Sequence, residues 1–80
     1  MQRLIITVEA TNNHFLKLSF DNNEIKLFDV SPFLDKGIFK ELQDYNYFKQ
    51  VSVAFGSVKW PHEQDFSYDT LYLLSTPLAS

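Results

Sequence analysis

The chain has 80 residues, including eight Phe, four Tyr and one Trp, with no Cys and a formal net charge of −3. The lack of Cys excludes disulfides, thiolate metal sites and a Cys nucleophile, so large rings burying about 150–250 Å² each must supply a core that is thin at this length. Basic residues are scattered singly from Arg3 to Lys59, which argues against nucleic acid as a partner of this chain alone, and no apolar run approaches the ~18–20 residues of a membrane span.

Residues 1–80 read as one domain, expected in the cytoplasm because the opening stretch is too short for a secretory signal and alternates like a strand. In that stretch Leu4, Ile6 and Val8 alternate with Ile5, Thr7 and Glu9, the period-2 pattern of a strand with one buried face. Thr11-Asn12-Asn13 is a turn cluster. A second strand is expected over His14–Phe20, with Leu16, Leu18 and Phe20 on one face. Asp21-Asn22-Asn23 tolerates left-handed backbone and predicts a tight hairpin into a third strand over Glu24–Asp29. Ser31-Pro32 opens a helical turn through Lys36, with Gly37 placed for a left-handed C-terminal residue. Phe39 and Leu42 share a face on a second turn, and Asp44 can cap a third through Phe48.

A later hairpin follows, with Val51, Val53 and Phe55 on one face, Gly56-Ser57 as a two-residue type II′ turn, and Val58 and Trp60 beyond it. Pro61 has no amide proton and stops pairing, which leaves His62–Phe66 as a polar loop. Ser67 can cap a last helix over Tyr68–Ser75, packing through Leu71, Leu74 and Tyr72. The fold class is α+β: a three-stranded antiparallel meander plus a later hairpin, with short helices held against the sheet.

Chemistry-bearing residues are sparse. His62-Glu63-x-Asp65, with His14 as a second nitrogen ligand, could form a small-ligand or divalent-metal site; a solvated turn after Pro61 accounts for the same residues. Asp29, Asp65 and Asp69 could converge for acid–base work, but each also sits where a helix start needs a cap. No Ser has a nucleophile-elbow context and no glycine-rich phosphate loop exists. No catalytic residue and no cofactor is therefore assigned. The rings carry the remaining signal. Phe48 and Phe66 suit the core, whereas Tyr45, Tyr47, Trp60, Tyr68 and Tyr72 are where a surface for a small protein partner, or for a second copy, is to be sought.

In order along the chain stand Phe28-Asp29, Ser31-Pro32-Phe33-Leu34, Phe39-x-x-Leu42, Phe48-x-x-Val51, Trp60-Pro61 and Asp65-x-x-x-Asp69-x-Leu71-Tyr72. This succession resembles the small bacterial family called domain of unknown function 2442. The chain departs from the pattern twice: His62-Glu63-Gln64 follows Trp60-Pro61 where the family has Asn-Gly, and Tyr68 stands where the family has Pro. The resemblance implies an α+β fold with an antiparallel sheet and no established enzymatic activity. It also implies an antitoxin-like role for some relatives, as partners of a small protein encoded beside them. The expectation is thus a non-enzymatic interaction module, with dimerisation through an open sheet edge as one form of it.

Overall fold

The computed structural model describes residues 4–78. Strands β1 (Ile5–Thr11), β2 (Phe15–Phe20) and β3 (Ile25–Asp29) form the expected antiparallel meander. Two short 3-10 segments, Ser31–Phe33 and Gly37–Gln43, lead to α1 (Tyr45–Phe48). A second sheet holds β4 (Ser52–Ala54), β5 (Ser57–Lys59) and β6 (Asp65–Phe66); α2 (Tyr68–Leu74) and β7 (Thr76–Pro77) complete the fold. The two sheets have strand orders β1-β2-β3-β7 and β4-β5-β6, giving the expected α+β class. No helix among the described residues is long and apolar enough to cross a membrane.

One face of the meander is built as its alternation predicts. Leu16, Leu18 and Phe20 are buried, with Ala10–Leu16–Phe28 and Val8–Leu18–Lys26 as cross-strand rows. The alternation fails at the start of β1. A register shift between Ile5 and Thr7 turns Ile5 into the core and leaves Leu4 and Ile6 exposed, while Val8 still packs inward. A single extra residue in one strand reverses which face the preceding side chains occupy.

Lys26 lies on the buried face of β3, 8% exposed. Its ammonium donates to the Tyr72 carbonyl at 2.9 Å and sits 3.7 Å from the centre of the Tyr72 ring. It thereby satisfies a carbonyl of the last turn of α2, where a cation is favoured. The Tyr72 hydroxyl donates to Glu24 Oε1 at 2.6 Å, so Glu24, just before β3, and Lys26 within it hold Tyr72 of α2 by its hydroxyl, ring and carbonyl.

The helical pieces are short and rely on caps. Asp44 Oδ1 accepts from the Asn46 amide at 3.0 Å and Ser67 Oγ from the Thr70 amide at 3.2 Å, both at expected capping positions. At the first turn the N-cap is Val30, without a side-chain bond; Asp29 Oδ1, one residue earlier, accepts from the Ser31 amide at 2.9 Å, and Ser31, expected as the cap, lies inside the turn. Gly37 has the left-handed φ of 48° its position calls for. Leu71 is fully buried but Leu74 faces outward, because the chain leaves α2 there to add β7 to the meander. Sequence alternation could not reveal this strand, which is two residues long and contains Pro77.

The later hairpin is shifted by one residue from expectation. Ala54 pairs with Ser57, so Phe55-Gly56 forms the turn rather than Gly56-Ser57. Both turn residues have positive φ, 54° and 76°, as in a type I′ turn. The Ile5 amide donates to the Gly56 carbonyl at 2.9 Å, and a Cβ on Gly56 would lie 2.6 Å from Leu4 Cδ2. The turn is therefore fastened to the edge of the meander. Gly56→Ala should lower stability by about 1–2 kcal/mol, read as a lower urea midpoint at unchanged slope. Lys26→Met, which keeps the apolar stem but leaves the Tyr72 carbonyl without its donor, should cost about 1–3 kcal/mol in the same measurement.

Candidate functional site

The aromatic positions expected to form a partner surface divide sharply. Trp60 is 1% exposed and Tyr47 is also buried, which corrects their assignment to the surface. Trp60 follows Val58 on the inward face of the second sheet, packs against Phe48 and Phe66, and donates its indole N–H to the Phe48 carbonyl at 2.7 Å. An indole with its one donor satisfied belongs in a core. Tyr72 is half-buried with its hydroxyl engaged by Glu24. Tyr45 and Tyr68 remain at the surface, Tyr68 half-buried.

Tyr47 is held by a polar cluster that the sequence did not announce. Its hydroxyl donates to Gln64 Oε1 at 2.7 Å and accepts from the His62 amide at 2.8 Å. Gln64, 1% exposed, donates through Nε2 to the Ile38 carbonyl at 3.0 Å and to Glu41 Oε1 at 2.9 Å. The second Glu41 oxygen lies 2.7 Å from His62 Nδ1, and the His62 ring stacks on Tyr47 with centroids 5.1 Å apart. The hydrogen bond from Gln64 holds the Glu41 carboxyl below its usual range; desolvation opposes it, and the hydrogen bond and charge of His62 add smaller lowering effects. Gln64 and Glu41 carried no sequence signal, because a buried Gln is identified only by the elements that close over it. The cluster fastens the 3-10 segment and α1 to the loop after Pro61.

His14, His62, Glu63 and Asp65 are not brought together as a ligand set. His14 lies between Tyr45 and Phe48 with its Nε2 buried and unpartnered, while His62 turns toward Glu41. Among the described residues no group of three or more His, Cys, Asp or Glu side chains is placed to hold a metal ion. Glu63 has a left-handed φ of 74° and its amide donates to the Trp60 carbonyl at 3.0 Å. It occupies the place of the glycine in the Trp-Pro-Asn-Gly pattern, so the turn geometry persists with a residue less suited to it.

The exposed feature is elsewhere. Phe55, at the tip of the later hairpin, is 101% exposed, contrary to its expected place on a strand face. With Tyr68 it lines an open cleft of about 410 Å³. The small side chains Ala54, Ser57 and Ser67 and the cross-strand neighbours Lys59 and Asp65 line it too. Ser57 Oγ donates to the Phe66 carbonyl and Ser67 Oγ to Thr70 Oγ1 at 3.0 Å. The serine hydroxyl protons are thus committed within the fold, and the cleft offers rings and two charges.

The family described as "Protein of unknown function (DUF2442)" matches residues 5–77. The chain belongs to that family. Its matched span runs from the first residue of β1 to the last of β7, so the domain-of-unknown-function 2442 unit comprises both sheets, the polar cluster and the cleft. No curated protein and no solved structure matches the chain.

The cluster makes two measurable demands. Gln64→Leu leaves the Tyr47 hydroxyl and Ile38 carbonyl without their partner and should destabilise the fold by about 2–4 kcal/mol in urea unfolding. Because the folded-state pKa of Glu41 is depressed, its stabilisation is present above the usual carboxylate range and disappears as pH falls through that depressed value. Glu41→Gln should therefore flatten the acid limb of the stability–pH profile relative to the unsubstituted chain.

Proposed function

We propose that this chain is a non-enzymatic protein-interaction module whose contact surface is the cleft between Phe55 and Tyr68. The observation that carries this reading is Phe55: a fully exposed ring at a positive φ of 54°, in a turn position suited to Asn or Gly. A bulky residue there costs conformational energy and gains no packing within the domain. Local rules broken without internal compensation mark functional positions. The turn beneath it is fastened by Ile5, so the ring is presented on a rigid base. Exposed aromatics bordering a pocket are the usual anchors of protein interfaces.

Asp29 supports a non-catalytic reading, because it accepts a backbone amide at a helical start. Asp69 lies in the first turn of α2, where a carboxylate is favoured, whereas Asp65, expected as a cap, stands in β6 instead. In the form that family resemblance implies, the module is antitoxin-like and covers a small protein encoded beside it.

Co-expression with the product of the adjacent gene, followed by size-exclusion chromatography, tests the reading. The complex should form with the unsubstituted chain and weaken at least about tenfold with Phe55→Asn, the loss expected on deleting an interface anchor. Asn suits the type I′ turn, so the variant should unfold at a higher temperature, with up to about 1 kcal/mol of added stability. Binding indifferent to Phe55→Asn would overturn the cleft as the contact surface.

A further inference from the structure

We infer that the cleft, when no other protein fills it, takes a second copy of this chain, packed about a two-fold axis. The inference rests on the reading of the cleft as an interaction surface. Its support is the charge pattern of the patch. Lys59 and Asp65 are directly opposite on β5 and β6, both exposed, and no ion pair within 4.0 Å joins them or either to another charge among the described residues. A patch carrying one cation and one anion side by side is complementary to itself when rotated by a half-turn: each Lys59 meets the Asp65 of the other copy. Isologous contacts require this self-matching of one surface.

The rings obey the same symmetry. Phe55 stands clear of its own domain in the turn before β5, and Tyr68 follows β6, so the two rings flank the antiparallel pair in the same sense as Lys59 and Asp65. A half-turn that exchanges the charges therefore brings each Phe55 toward the Tyr68 side of the opposite copy. The small side chains of Ala54, Ser57 and Ser67 leave room for it. β6 is the outer strand of its sheet, so within the described residues no further strand lies beyond Asp65 on that side. A net charge of −3 per chain sets only a modest repulsion between copies at physiological ionic strength.

Sedimentation equilibrium of the full chain over a concentration series decides the matter. The unsubstituted chain should move toward twice its monomer mass as concentration rises, and Phe55→Asn should weaken self-association at least about tenfold while raising the melting temperature. Lys59→Glu and Asp65→Lys should each weaken association, because each places like charges opposite one another twice per dimer. Mixing these two variants should restore it, since a mixed pair has both contacts of opposite sign. Restoration shows that position 59 of one copy meets position 65 of the other and is not produced by a fold defect.

A chain that stays monomeric up to about 1 mM overturns the inference. So does self-association that Phe55→Asn leaves unchanged, or a mixture no stronger than its components. A monomeric chain that still loses the neighbouring gene's product on Phe55→Asn overturns only self-association and leaves the interaction reading standing. Loss of neither association overturns both.

Discussion

The indole of Trp60 is the joint on which the rest of the structure depends. Its N–H is satisfied by the Phe48 carbonyl, and its ring touches Phe48 and Phe66. One side chain thus connects α1 to two strands of the small sheet. Phe66 continues the contact to Phe28 of the meander and to Phe33 and Phe39 of the helical segments. The small sheet could not form a core alone, because strands of two or three residues bury too little area to offset the entropy of ordering them. Edge-to-face and tilted rings supply directional packing where length and disulfides cannot.

Around this joint the polar groups are used to fasten elements to one another. Lys26 reaches across to the last turn of α2, Gln64 bridges the 3-10 segment and Tyr47, and Ile5 ties the hairpin turn to the meander. Each removes a liability that short elements carry, namely backbone or side-chain groups left without partners near a thin core. The consequence for function is rigidity at the hairpin tip. The backbone of the turn that carries Phe55 is fastened although nothing packs on the ring, which lowers the backbone entropy lost when a partner covers it.

Much of this arrangement was legible in the residues. The alternation of Leu16, Leu18 and Phe20, the Asn-rich hairpin, and the caps at Asp44 and Ser67 follow from local chemistry, and each stands where expected. The misses share a cause. The bulge in β1 and the one-residue shift of the later hairpin are choices between registers of similar local merit. Tertiary contacts make those choices: burial of Ile5 for the first, and the bond from Ile5 to Gly56 for the second. Trp60 and Tyr47 have side chains that suit an interface or a core equally well, and only the positions of Phe48 and Gln64 separate the two.

The excess of rings over a short chain was visible from composition, and rings do build the core: six of the thirteen are buried. Sequence by itself therefore determined the class of fold, the meander, the capped helical turns and the family. Which ring stands wholly clear of the domain was settled by tertiary structure alone. The tyrosines and Trp60 carry polar atoms and seemed the natural surface residues, yet the core supplies acceptors for Trp60 and Tyr47 and draws them in. Phe55, the most apolar kind of ring, is held out because a type I′ turn, fixed by a contact with a distant strand, points its residue away from the domain.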